Sequence, residues 1–597
     1  MEKILRINLS NGQSSNEYVL DEDLEKFIGG MGVATALFTR EVRPDVDPYD
    51  EENLLIFSAG PFCGTAVHFC SRHFIMAKSP LTNILGESSA GGFWGKELKS
   101  AGFSHIIING ISEKPVYLWI KDGTAELIDA SGLWGKGVYE TQEIIKENLG
   151  DKKIKIALIG QAGENLVKYA SIMSDKDRAA GRCGLGAVMG SKNLKAIVVR
   201  GSSRPEINDK ALLKRAVKQL KELEKDSPLI DVHQQYGTTL GIDNGPHMGD
   251  VPIKNFTMSR WIGTKKIGGI ALSEKEFRAQ PCFNCPVGCA KEIKYQGKWV
   301  RWPEYETLAM MGSNLMVDNL DEIIKWNVQI NDLGMDTISL GATIAMFIEA
   351  YERGLLEIHA QELGLNGKKE IWGDTAIINK LIQMIANRQG IGKDLAEGVK
   401  AFCEKYHLPD DLATHSKGLE VPAHEPRSNN MTALDLVTSP RGAYHCYMPM
   451  DISSAMYIKR ELGIINPIER NSKDLRIVEL VKIVQDASEA YSACGGCIFG
   501  FKWVSEITPW IDALNAITGK NYTVESWTQV GERIFNMKRA YNMDCGTTKE
   551  DDNIGPRFLT PIAKGATRKN VPPINDLLSY YYKIRGWDLK GCPNLNS

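Results

Sequence analysis

Cys282-Phe-Asn-Cys285-Pro-Val-Gly-Cys289 sets three thiols in a C-x₂-C-x₃-C run, close enough together to hold one face of an iron–sulfur cube. A [4Fe–4S] cluster needs four thiolates, and the best remote candidate for the fourth is Cys497 in Ala493-Cys494-Gly-Gly-Cys497. The same residues allow two other uses: a zinc site, which ordinarily joins two paired motifs, or buried structural thiols. A second group suits proton transfer. Glu304 and Glu306 follow Pro303, and His445 closes the loop Ser439-Pro-Arg-Gly-Ala-Tyr-His445. Histidine titrates near neutrality, and a shielded glutamate is raised towards it. Asp332 and Asp336 stand four apart in Asn331-Asp-Leu-Gly-Met-Asp336. If a helix continues through Gly334 their carboxylates share a face and could accept N–H bonds from a heterocycle. Two glycine-rich stretches, Gly86–Gly95 and Arg178–Lys192, expose dense main-chain N–H groups, with Arg72, Arg178 and Arg182 as forked donors, a composition suited to a phosphorylated cofactor. Neither stretch is a Walker loop or a G-x-G-x-x-G fingerprint, and ordinary turns of a β domain are the plain alternative.

The elements that must position these groups fall into an order. Over residues 1–205 short strand-like runs such as Asn53-Leu-Leu-Ile-Phe-Ser58 and His105-Ile-Ile-Ile-Asn109 alternate with glycine-rich turns. A charged helical segment follows over Lys210–Lys225, and apolar spacing is helical over Asn319–Gly334, Ile338–Arg353 and Thr375–Arg388. Glycine and proline interrupt helices again at Lys417-Gly-Leu-Glu-Val-Pro422. The expected architecture is α+β: a β-rich cofactor-cradling domain over 1–205, a mainly helical domain over 206–417 carrying the cysteine run, and a mainly helical domain over 418–597 carrying Cys497. With 597 residues and 43% hydrophobic content the chain can bury large cores. A net charge of −3, with Lys and Arg spread along the chain, excludes a basic nucleic-acid footprint. No apolar run of about 18 residues marks a membrane span or an export signal. A cytoplasmic protein is expected, in which twelve cysteines serve metal or redox chemistry better than disulfides.

Taken in this order, several segments resemble the aldehyde ferredoxin oxidoreductase family of tungsten–pterin enzymes. They include Ala77-Lys-Ser-Pro-Leu-Thr82, Ala90–Lys99, Gly186–Ala196, the cysteine run, Pro303-Glu-Tyr-Glu-Thr307, Gly334–Ser339, Lys417–Pro422, Thr438–Gly442 and Tyr580–Trp587. The resemblance spans almost the whole chain. It implies a buried tungsten held by the dithiolenes of two pterins (tungstopterin), Mg²⁺ at their phosphates and a [4Fe–4S] cluster close by. Carried onto this sequence, Cys282, Cys285, Cys289 and Cys497 would ligate the cluster, with Arg72 between cluster and pterin. Ser89, Gly91, Ala179 and Gly181, with Arg178 and Arg182, would form the phosphate and magnesium cradle. Asp332, Met335 and Asp336 fall in the D-x-x-G-[LM]-D pterin segment. Glu304 or Glu306 and His445 match the acid/base groups beside the metal.

The chain departs from the family pattern at several points. Ser492 stands where D-S-x-G-x-C has its aspartate, leaving Asp486 or Glu489 as substitutes, and Cys494 is a rival to Cys497. Ser89 replaces a frequent asparagine whose carbonyl meets magnesium. Lys325-Trp-Asn-Val-Gln329 lacks the E-x-x-H that holds an intersubunit iron in some members, so the choice between homodimer and hetero-oligomer stays open. The expected reaction interconverts aldehydes and carboxylic acids, with electrons leaving through the cluster to ferredoxin or an iron–sulfur partner subunit, because no nicotinamide fingerprint is present. Molybdenum would suit the same site. The alternatives are a benzoyl-CoA-reductase-like subunit, disfavoured by the lack of cysteine between 290 and 402, and a pterin-free electron carrier. Loops around Tyr444, Tyr447 and Met448 would set the cavity's size.

Overall fold

Alternation of side chains along strands organises the first two hundred residues. The structure, a computed structural model, describes residues 2–356, 360–365, 367–447, 449–452 and 459–594. Six strands form a first sheet in the order Ser14–Tyr18, Lys3–Asn8, His105–Asn109, Leu55–Ala59, His73–Lys78 and Leu85–Ala90. Six more form a second, Arg178–Ala180, Ile172–Ser174, Lys155–Leu158, Leu194–Arg200, Val116–Lys121 and Thr124–Asp129. Within each sheet one pair is parallel and the rest antiparallel. Ile106 and Ile108 pack in a core with Leu118, Ile120, Ile197 and Val199 of the second sheet, whereas Ile107, between them in sequence, packs in a core with Val484, Ala487 and Phe535 of the C-terminal helices. A period of two thus feeds two cores, each such side chain contributing about 1.5–3 kcal/mol.

The helices form where the apolar spacing expects them. Lys210–Lys225 opens on Asp209, whose carboxylate accepts the Ala211 and Leu212 N–H groups. Leu320–Leu333, Thr337–Glu352 and Thr375–Ala386 fill the middle of the chain. The C-terminal part is built on Arg476–Ala493 and Val524–Asp544, which pack against each other and against the helix Gly30–Glu41. Among the described residues no helix is long and apolar enough to cross a membrane.

Two local features refine the expectation. The cysteine run lies in the loop between Phe277–Ala279 and Lys291–Tyr295, the first two strands of a small antiparallel sheet completed by Lys298–Arg301. Its hairpin turns on Gln296 and Gly297, both at positive φ, a tight two-residue turn. Gly334 decides a condition left open above: the helix stops there, where the first stretch of helical spacing ends. It caps Leu320–Leu333 at φ 74 and ψ 52, the left-handed geometry that glycine reaches without a Cβ clash. A Cβ there would meet the Gly160 backbone nitrogen at 2.8 Å. Asp336 then caps the next helix by accepting the Ile338 N–H, so Asp332 and Asp336 share no helix face.

Candidate active site

The edge strand Arg178–Ala180, the cysteine run and the helix Tyr305–Met311 border a cavity of about 670 Å³. Cys282, Cys285, Cys289 and Cys497 all line it, as free thiols. Cys497 is held at it by its N–H, which bonds to Phe69 O at 2.8 Å. Cys494 is turned away, buried with its thiol near Trp527. Burial pushes the Cys285 thiol up to about 12 and raises Cys289 well above its ordinary value, with the neighbouring thiols adding to both. Four such groups ionise together only beside compensating positive charge. Two arginines supply part of it: Arg178 donates from Nη1 to Cys282 Sγ at 3.2 Å, and Arg72 hydrogen-bonds Cys497. Burial opposes the charge of Arg72, but Cys497 outweighs it and holds the guanidinium up.

The acid/base groups meet on the same cavity. Glu306, in the first turn of Tyr305–Met311, sets Oε1 3.4 Å from His445 Nε2 and 3.6 Å from His424 Nε2. Its other oxygen accepts the Ala423 N–H at 2.8 Å, while Oε1 is buried without a hydrogen bond. Glu304 also lines the cavity but is engaged elsewhere, by Arg301 at 2.7 Å and the Thr238 hydroxyl at 2.8 Å. Burial lowers His445 to about 4, with Glu306 opposing and the His424 and Arg182 charges adding. His424 goes the other way. Burial works against its charge, yet Asp250, 2.8 Å from Nδ1, and Glu306 hold it at about 9. Sequence reasoning did not single out His424 or Asp250.

Of the expected cradle, Gly91, Ala179, Gly181 and Arg182 line the cavity, and a Cβ on Gly91 would meet Cys282 Sγ at 2.9 Å. Arg178 lines it too, but both ends of its guanidinium are taken by the cysteine loop, at Cys282 Sγ and at Gln280 O (2.5 Å). Ser89 stands behind the wall, accepting Arg72 Nη1 at Oγ (3.0 Å) and at its carbonyl (3.4 Å). Ser492 stands in the last turn of Arg476–Ala493, its carbonyl taking the Gly495 N–H, and is not among the residues that line the cavity. Its suggested substitutes are committed: Asp486 to Arg585 and Lys482, Glu489 to Lys538 (2.7 Å) and the Tyr447 hydroxyl (2.5 Å). Tyr444 lies under Arg441 Cζ at 3.7 Å and Tyr447 bonds Glu489, so both pack beside the cavity rather than lining it. Met448 lies outside the described residues, and Cys446 lines the wall instead.

Met335 and Asp336 line the cavity as expected; Asp332 does not. Its Oδ1 accepts the Tyr139 N–H at 2.9 Å in the first turn of the helix Val138–Leu149. Asn331 lines the cavity in its place, and counted position by position D-x-x-G-[LM]-D begins at Asn331. Asp332→Ala is expected to cost about 1–2 kcal/mol of stability through the lost cap, read by denaturant unfolding, while the metal content per folded chain stays unchanged.

Two family models cover nearly the whole chain: the aldehyde ferredoxin oxidoreductase N-terminal domain matches residues 4–201, and domains 2 and 3 of the same family match residues 215–597. The chain belongs to the aldehyde ferredoxin oxidoreductase family. The tungsten-containing aldehyde ferredoxin oxidoreductase of Pyrococcus furiosus is 37% identical to it over 99% of this chain and 96% of the relative. That of Thermococcus kodakarensis is 38% identical over the same shares. An aliphatic sulfonate oxidoreductase subunit from Pyrococcus furiosus is 31% identical over 99% and 95%. Among solved structures, a chain of the active-site complex of benzoyl coenzyme A reductase with 1,5-dienoyl-CoA superposes at a TM-score of 0.86, with 26% identity over 100% of this chain and 95% of that one.

The cavity of this family member suits the tungstopterin that the family implies. Arg182 sends Nη2 to Glu420 O at 2.6 Å and stands 3.1 Å from Asp336 through Nε, but its Nη1 is buried with no hydrogen-bond partner among the described residues. Asp177 on the same wall has both carboxylate oxygens buried and unbonded. A free cationic donor and a free anionic acceptor match a ligand carrying phosphate and ring N–H groups.

Proposed function

We propose that the protein oxidises an aldehyde to a carboxylic acid, RCHO + H₂O → RCOOH + 2H⁺ + 2e⁻, and can run the reduction when the donor is strong enough. Cys282, Cys285, Cys289 and Cys497 would hold a [4Fe–4S] cluster, which would supply one-electron transfer to ferredoxin or an iron–sulfur partner subunit. One observation carries this reading: the four thiols and the Glu306–His445 pair open onto a single cavity. Tungsten in its two pterins would supply the two-electron couple. Arg182 and the backbone around Gly91, Ala179 and Gly181 would hold the phosphates and Mg²⁺.

The chain's own groups divide the proton work. His445 is neutral above about pH 4, so its imidazole serves as a hydrogen-bond donor to an oxygen rather than as the base. Glu306, with Oε1 unbonded, takes the proton lost from the reacting carbon or water. His424 keeps its proton below about pH 9 and loses it above, so through the neutral range it is a fixed cation beside Glu306. The expected kcat/KM profile therefore falls on the acid side towards about 4 and on the alkaline side above about 9. His424→Gln should remove the alkaline fall; a profile that keeps it would detach His424 from the reaction.

Metal and pterin quantification with an aldehyde screen, read by a viologen acceptor, tests the whole reading. Tungsten, pterin and iron with aldehyde-dependent viologen reduction support it, whereas iron without tungsten or pterin would leave only an electron carrier. A second reading is favoured by the benzoyl coenzyme A reductase likeness and by Cys446, a further thiol on the wall 3.6 Å from His445 Nε2. Turnover of an aromatic thioester and of no aldehyde would select it.

A further inference from the structure

Of the two carboxylates expected in the pterin segment, Asp336 lines the cavity but is engaged by Ile338 N–H, the Ser339 hydroxyl and Arg182, and Asp332 does not line it. Asp332 accepts a helix N–H at Tyr139, and position 492 is a serine outside the residues that line the cavity. Asn331, which lines the cavity with Met335 and Asp336, is an amide without charge. Yet the wall contains one carboxylate with nothing bonded to it. The side chain of Asp177 has no exposed surface, and neither oxygen makes a hydrogen bond among the described residues. Its nearest cation, Arg301, lies 3.7 Å away, with Nη1 given to Gln280 (2.8 Å) and Nη2 to Glu304 (2.7 Å). Burying an acceptor unbonded is costly, and native proteins rarely do so unless something else fills the role. Asp177 and Asn331 share a neighbour: the Tyr139 hydroxyl bonds Asn331, and burial together with the Asp177 and Asp332 charges holds that phenol un-ionised.

We propose that Asp177 is the carboxylate that holds the N–H edge of a planar heterocycle, taking two adjacent N–H donors on its two oxygens while the Asn331 amide meets the ring's polar rim. The ligand class is a 2-amino-oxo-pyrimidine ring, as at the end of a pterin; the assignment rests on the tungstopterin reading. An ionised acceptor suits this edge because charge-assisted bonds are roughly twice as strong as neutral ones. Burial raises the Asp177 carboxyl above its ordinary value, the Arg301, Lys176 and Arg178 charges opposing in part, so two donors from the ligand would complete the stabilisation of the ionised form. Asparagine at 177 would keep the shape but turn an NH₂ group towards the ligand's own N–H.

The test measures pterin released per chain, as its fluorescent oxidised form, against iron per chain, in holoenzyme purified anaerobically. Iron is the internal standard for folding, because among the described residues no hydrogen bond joins the Asp177 carboxylate to the four thiols. Asp177→Asn and Asp177→Ser are expected to lose pterin about tenfold or more during dialysis while iron stays at the wild-type level. Adding Asn331→Asp to Asp177→Asn restores a carboxylate at the neighbouring position and is expected to recover part of the pterin. Equal retention in wild type and variants, or parallel loss of pterin and iron, would overturn the role of Asp177. A wild-type protein carrying no pterin would instead overturn the functional reading itself.

Discussion

Glu306→Gln is expected to lower kcat by about 10²–10⁴-fold, the range of a lost general base, with little change in KM or metal content. Glutamine keeps the volume and retains an oxygen that can accept the Ala423 N–H now bonded at 2.8 Å, so the helix turn should stay in place. What disappears is the unbonded oxygen between His424 and His445, at 3.6 and 3.4 Å. Glu304→Gln is the control. Glu304 is fixed by Arg301 and Thr238, so its substitution should loosen that corner and leave most of the turnover. Steady-state kinetics on both variants decides the assignment, and an unimpaired Glu306→Gln would remove the proposed base.

Cys497→Ser is expected to bring iron from about four per chain to near zero and to abolish aldehyde-dependent viologen reduction, whereas Cys494→Ser keeps both. The two cysteines are three apart, but only Cys497 turns its thiol into the cavity beside Arg72. Cys494 sits in the apolar core near Trp527. Iron analysis with electron paramagnetic resonance of the reduced protein reads the outcome. If Cys494→Ser loses the cluster and Cys497→Ser keeps it, the ligand set proposed above is wrong.

Legibility in the sequence followed the range of the interaction that decides each feature. The strand His105–Asn109 and the helix Lys210–Lys225 were readable because a period of two, a period near four and an aspartate cap are all local. The cysteine run was readable because a polynuclear cluster demands closely spaced thiols. His424 was not, since its partner Asp250 is 174 residues away and nothing in either neighbourhood points to the other. Asp175 and Asp177 make the same point within one turn: Asp175 accepts the Phe93 and Trp94 N–H groups, while Asp177 faces the cavity unbonded. No local pattern separates two acids two residues apart. Gly334 marked the break between two stretches of helical spacing, and a glycine followed by an aspartate before an apolar run reads as one helix ending and another beginning, which is why Asp332 and Asp336 share no face. The Gln296-Gly297 turn was a signal left unused.

The strand Arg178–Ala180 ties two parts of the proposed site to one piece of sheet. It is paired in register with Ile172–Ser174; its first residue touches Cys282 and its second lines the same cavity. With a cluster on the thiols and a pterin-bound metal in the cavity, the distance between the two redox groups would rest on hydrogen-bonded strand, which holds a site more precisely than a loop does. Because tunnelling weakens steeply as such a gap widens, a change that loosens this strand would slow electron transfer without touching either group's ligands.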